Sequence, residues 1–474
     1  MEPRVLPSDH QVFTQHPELR GTICGHGENS LSMLCTSHSM VLDYLNEAIC
    51  KLFLRAPQLG GMLQIFAGER ATSCRSIDAY LANGDVLCSR CATMRQGEAL
   101  AKLITFQFEA MRRTAPAADY LVWSYGIPLH DFKIKEEIYD AIPHEVVWLE
   151  NFEHGVVKEF FGKKVINEEY SQSCTGPANY FRSMAEKQSS SLPPVWPKFQ
   201  FGNTYEMPLV PYIPVPSMAW RKQKIAYKFK CSGALVSWVI GGGGDLMLHA
   251  FALAGSGNAM SESRFLEKLA ATLYPPEAVI PVVKAWKIFD RAFQQYPCDK
   301  SIFYYGPIAR SPGYKLYLTG EISLVAPNYN WGIDRMRNIQ EYSTPTGKCW
   351  TGEILSAMEI AQLFRKIAIG FRKGEALLEH PALSQLRNIA LAIAIIFDSA
   401  ANVYEFYELR NDSKQKQKLA ELLRAEIKNA MAMLPLLQSD PYIGFQGELL
   451  YYPISAPILK DKINHIRQTL KQLE

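Results

Sequence analysis

From about residue 20 to 250, short apolar runs of strand length alternate with stretches whose apolar positions recur every three or four residues. Such alternation predicts parallel α/β architecture, strand and crossover helix in turn. Thr36 or Ser37 is placed to cap a helix whose apolar face is Val41, Tyr44, Leu45, Ala48, Ile49 and Leu52. A strand running towards Glu69 follows, then a helix with Leu100, Leu103, Ile104, Phe108 and Met111 at helical spacing. Further strands are predicted over 120–125 and 146–150, before Glu206, and over 233–240. Arg20–Cys24 is a weaker one.

Six strands result, two short of a (β/α)8 barrel, and the residues before Arg20 cannot supply two more βα units. The prediction is a TIM-barrel-like domain over 1–260 that lacks its first strands, or one closed in an unusual way. A mixed segment over 261–350 carries a candidate strand at Tyr314–Leu318. Residues 351–474 form a helical domain, with helices over 354–378, 383–408, 414–433 and 457–472, Pro435 stopping the third.

Composition narrows the partners. Among 474 residues the net charge is +3 and basic residues are scattered, which excludes an electrostatic nucleic-acid or membrane-surface partner. The N-terminal residues hold no signal-peptide core, and the oily run Ile389–Phe397 is too short to span a bilayer, so the expected location is the cytoplasm. Ten cysteines in a chain this long are expected to be reduced.

The candidate chemistry is a pair of carboxyl groups. Glu69 ends Gly-Gly-Met-Leu-Gln-Ile-Phe-Ala-Gly-Glu and Glu206 ends Gln-Phe-Gly-Asn-Thr-Tyr-Glu, each after an apolar run. Strand ends of that kind carry the active residues of barrels. Cleaving a glycosidic bond takes one carboxyl to protonate the leaving oxygen and one to meet the developing cation. With two strands between them, the pair falls on strands four and seven of a barrel. Other strand-end residues would form the sugar platform: Trp123, Tyr125, Glu150, Glu153 and Trp238, with His26, Arg70, Asn203, Tyr205 and Tyr170 nearby. Either Glu150 or Glu153 is also an alternative catalytic carboxylate.

In order along the chain, Leu34-Cys35-Thr36-Ser37, Gly60-Gly61 to Glu69, Cys88-Ser89-Arg90-Cys91, Asn203-Thr204-Tyr205-Glu206, Pro211-Tyr212-Ile213-Pro214, Ser237-Trp238 and the Asp440-Pro-Tyr-Ile-Gly-Phe stretch resemble a group of bacterial glycoside hydrolases related to family-20 β-N-acetylhexosaminidases. The resemblance implies a (β/α)8 catalytic barrel. It also implies an Asp directly before the acid Glu, which orients the substrate's acetamido group as nucleophile. Here that residue is Gly68. A protein nucleophile, Glu206, therefore replaces substrate assistance, with Glu69 as acid and base. The expected reaction is retaining hydrolysis of a β-linked hexose or N-acetylhexosamine from an oligosaccharide, with no cofactor required. The alternative is a non-catalytic carbohydrate-binding or scaffold protein derived from such a barrel.

Cys74, Cys88 and Cys91 form a metal-like set, and Cys35 completes a tetrahedron if the fold brings it close; the implied ion is a structural zinc. Gly241–Gly244 lacks the Lys-Ser/Thr of a phosphate loop and is followed by Asp245. The histidines show no paired metal spacing.

Overall fold

A computed structural model describes residues 5–24, 30–67, 73–76, 87–125, 132–201, 205–237, 246–256, 260–320, 351–447 and 451–473. The chain divides into two compact units. One comprises residues 1–152, 179–198 and 229–235; the other comprises 153–178, 199–228 and 236–474.

The first unit opens with β1 (Val5–Pro7), α1 (Gln11–Gln15), β2 (Arg20–Cys24) and β3 (Leu31–Leu34). These strands form a separate antiparallel sheet in the order β1-β3-β2. Arg20–Cys24, expected in the barrel, therefore lies outside it. The reason is the short connection to β3, which suits antiparallel pairing, whereas a parallel neighbour needs a crossover of a dozen residues or more.

Next come α2 (Ser39–Arg55), β4 (Gly61–Ile65), α3 (Gln96–Arg112), β5 (Asp119–Trp123), α4 (Phe132–Ala141) and β6 (Val147–Asn151). A hairpin, β7 (Val157–Phe160) with β8 (Lys163–Ile166), belongs to the second unit. Then follow α5 (Asn179–Lys187), β9 (Val195–Phe199), α6 (Pro216–Lys228) and β10 (Leu235–Val236). Strands β4, β5, β6, β9 and β10 form one parallel five-stranded sheet, curled like half a barrel, in sequential order. A closed eight-stranded barrel is not formed among the described residues.

The strands stop earlier than their apolar runs suggest. β4 ends at Ile65 and β9 at Phe199, seven residues before Glu206. β10 holds two residues, because Ser237 adopts a left-handed backbone (φ 64°).

The second unit is dominated by helices: α7 (Leu246–Gly255), α8 (Glu262–Leu273), α9 (Pro276–Phe293), α10 (Lys300–Tyr305), α11 (Ala357–Glu375), α12 (Ser384–Leu409), α13 (Lys416–Ser439) and α14 (Ala456–Leu473). The four helices predicted in the C-terminal part are all present. No strand forms at Tyr314–Leu318. Pro435 does not stop α13, which runs on to Ser439. The carbonyl that proline leaves without an N–H belongs to Met431, whose side is exposed, so water can satisfy it. Residues 381–409 are long and apolar enough by composition to cross a membrane, but 83% of the most apolar window is buried within the protein, as in a core helix.

Candidate metal centre and carboxylate sites

In the first unit the chain brings four cysteines together. Cys35 follows β3, Cys74 sits in a turn at 73–76, and Cys88 and Cys91 lie in the turns before α3. All four are buried and their sulfurs lie within 4.8 Å of one another. Cys35 Sγ is 3.7 Å from Cys91 Sγ and 3.6 Å from Cys88 Sγ. A tetrahedron with metal–sulfur bonds of about 2.3 Å has edges of about 3.8 Å, so the set fits a tetrathiolate ion.

The surroundings suit such a centre. The Arg90 guanidinium donates to Cys35 Sγ (3.3 Å) and to the Arg20 carbonyl (2.8 Å), placing positive charge beside clustered sulfur. Ser37 Oγ lies 3.3 Å from Cys91 Sγ. Thr22, buried on β2, donates to the Cys74 carbonyl (2.9 Å) and accepts from the Cys88 N–H (3.1 Å), clipping the two turns together. Gly21 beside it has no room for a side chain, since a Cβ would meet Cys74 Sγ. Hydrogen bonds from Cys74 and Cys91 hold the Cys35 thiol far below its ordinary range, burial opposing and Arg90 assisting. Cys88 is lowered as well, chiefly by its hydrogen bond with Cys74, whereas Cys74 and Cys91 are raised by their hydrogen bonds with Cys35.

The candidate carboxylates divide between the units. Glu69 and Arg70 lie outside the described residues, as do His26, Asn203, Trp238 and the glycines 241–244. In the second unit Glu206 is fully buried, seated by polar donors. Ser171 Oγ donates at 2.6 Å, the Gln172 N–H at 2.6 Å and the Ser173 N–H at 3.2 Å. Tyr170, expected near the sugar platform, is buried beside this run, and Ser171 is the residue whose hydroxyl reaches Glu206. Tyr205 is buried with its ring 5.0 Å from Tyr304.

Glu153 supports the same run from behind. Its carboxylate pairs with buried Lys222 (2.6 Å) and accepts the Gln200 N–H (2.9 Å), while Lys222 also donates to the Ser171 carbonyl (2.8 Å). In the first unit Glu150 pairs with Lys135 (2.8 Å) and accepts from Ser124 Oγ (2.7 Å) and Trp148 Nε1 (3.1 Å). Both carboxylates, expected to hold sugar hydroxyls, are thus buried in internal ion pairs, and removing one partner of such a pair costs about 3–5 kcal/mol.

The face of the sheet opposite Glu150 carries two further polar residues, Asn151 and Lys198. Asn151 and Lys198 stand side by side in the β6–β9 register. Asn151 Oδ1 accepts from Trp123 Nε1 (2.9 Å), and Lys198 Nζ lies 6.0 Å from the Trp123 ring. Trp123 is fully buried, and Tyr125, 5.1 Å from it, is half-buried. This is the C-terminal edge of a parallel sheet, where α/β proteins bind ligands. The available signal was a polar residue inside an apolar strand: Lys198 in Val-Trp-Pro-Lys-Phe and Asn151 at the end of Val-Trp-Leu-Glu-Asn.

No protein-family model matches this chain, and no curated protein matches it.

Proposed function

We propose that the chain is a glycoside hydrolase of the barrel type whose N-terminal part is pinned by a structural zinc. The zinc rests on the four buried sulfurs within 4.8 Å of one another. Cys35, Cys74, Cys88 and Cys91 would hold it, and a tetrathiolate set suits Zn²⁺ over harder ions. The ion would supply folding energy by tying β3 to the turns at 73–76 and 88–91, leaving the chemistry to carboxylates. Metal analysis of protein purified without chelators is expected to give about one zinc per chain, lost in Cys35→Ser and Cys88→Ser. Folded protein with four freely alkylated thiols and no metal would defeat this assignment.

The hydrolytic part rests on the sequence resemblance and on the seat of Glu206. A nucleophilic carboxylate must be held in one geometry, and three donors to one side chain supply that. Glu206 would form the glycosyl intermediate, and Glu69 would protonate the leaving oxygen and then activate water. The substrate would be a glycoside or oligosaccharide with a β-linked hexose or N-acetylhexosamine. Purified protein is expected to release nitrophenol from at least one aryl β-hexoside, and Glu206→Gln to lower that rate by several orders of magnitude with folding retained.

One observation favours a second reading. Glu206 is completely covered, so a sugar reaches it only with movement of the groups that cover it. A non-catalytic carbohydrate-binding protein needs no such movement. Calorimetric binding of oligosaccharides without turnover across the aryl-glycoside panel would select that reading over hydrolysis.

A further inference from the structure

A second thiol constellation lies in the helical unit, 124 residues apart in sequence. Cys174 follows the run that seats Glu206, and Cys298 lies between α9 and α10. Both are buried, and their sulfurs are 3.0 Å apart, about one ångström longer than a disulfide bond. Ser173 Oγ lies 3.2 Å and Ser171 Oγ 4.0 Å from Cys298 Sγ. Lys158 donates to the Tyr296 carbonyl (2.8 Å) and to Ser173 Oγ (3.4 Å), bringing a cation to the same pocket of polar groups. Burial opposes ionisation of Cys298, yet the Cys174 hydrogen bond and the Lys158 charge outweigh it and bring the thiol down to about 7. Burial and the neighbouring sulfur push Cys174 up. The pair thus has the asymmetry of an attacking and a resolving thiol.

We infer that Cys174 and Cys298 are a modification site, closing to a reversible disulfide on exposure to hydrogen peroxide. Cys298 thiolate attacks one peroxide oxygen, the O–O bond breaks, and a sulfenic acid forms while the departing hydroxide is protonated to water. Cys174 sulfur then attacks the sulfenic sulfur. The S–S bond forms, the S–O bond breaks, and the leaving hydroxide takes the Cys174 proton as a second water. Two thiols are oxidised and one peroxide is reduced. A small peroxide suits buried sulfurs better than a bulky disulfide does. Closure ties the 171–174 run, with its three donors to Glu206, to the residue preceding Asp299, whose side chain caps α10. The pair does not depend on whether Glu206 cleaves sugars.

Peptide mapping of the full-length, metal-loaded protein tests this. After hydrogen peroxide, alkylation and digestion without reductant, the expected product is a linked peptide joining Cys174 and Cys298, two hydrogens lighter than the reduced pair. Dithiothreitol should restore both thiols. Cys174→Ser should leave a sulfenic acid at Cys298 that dimedone traps, and Cys298→Ser should abolish both products. Zinc content read in parallel separates this reaction from oxidation at the four-cysteine cluster. If both thiols of wild-type protein remain alkylatable after denaturation while Cys50 or Cys231 has oxidised, the inference is overturned, whatever the variants do. The readout is mass, so failure of the glycoside panel leaves it untouched.

Discussion

Thr22 illustrates how one hydroxyl can organise a site made by others. It gives its proton to the Cys74 carbonyl and receives one from the Cys88 N–H, so two turns that carry three of the clustered cysteines are joined through a side chain on β2. Valine has nearly the same shape and can do neither. Leaving a buried carbonyl and a buried N–H without partners costs about 1–3 kcal/mol each. Thr22→Val is therefore expected to lower the unfolding free energy by roughly 2 kcal/mol or more and, with zinc in the four-cysteine cluster as proposed, to speed its transfer to a competing chelator, while Thr22→Ser largely restores both. Denaturant titration and a chelator competition check this; an unchanged Thr22→Val would mean that the turns are held by the thiols alone. In the sequence, Arg-Gly-Thr-Ile-Cys gives no hint of this role. The cysteines were legible because their side chains have few other uses at such spacing, whereas a threonine in a strand is ordinary.

Helices followed the periodicity closely, with differences at their ends and edges. Val41, Leu45 and Ile49 on α2 are buried as their spacing requires, and Phe53 continues the row. Tyr44 and Leu52 are exposed instead, because the fully buried stripe is the i, i+4 row. The cap is His38, accepting from the Met40 N–H, rather than Thr36 or Ser37. Packing between helices is set by small residues. On α11, Gly370 lies against Ala292 and Gly374 against Phe289 of α9, and Phe289 stacks on Phe371 with ring centroids 4.6 Å apart. Gly374→Ala would gain about 1 kcal/mol in helix propensity. Its methyl would enter the space of the Phe289 ring, and overpacking of that kind costs about 1–3 kcal/mol. The packing term is expected to win, giving a lower melting temperature. A rise would show that the ring moves aside freely.

At the scale of the molecule, three features can be read along the chain: the alternation of strand and helix to residue 250, the helical C-terminal part and the cysteines able to share an ion. These follow from local rules: the period of apolar positions and the chemistry of residue types within a few turns. Long-range packing set the rest. It sent Arg20–Cys24 into an antiparallel sheet, leaving five parallel strands, and ended β4 and β9 before the residues that had looked like strand ends. It also decided that Glu150 and Glu153 pair with Lys135 and Lys222, and that Cys298 meets Cys174 across 124 residues. Each of those outcomes depends on which surfaces meet after the chain closes long loops. A buried charge must find its counterpart wherever the fold supplies one, and periodicity along the chain carries no information about that partner.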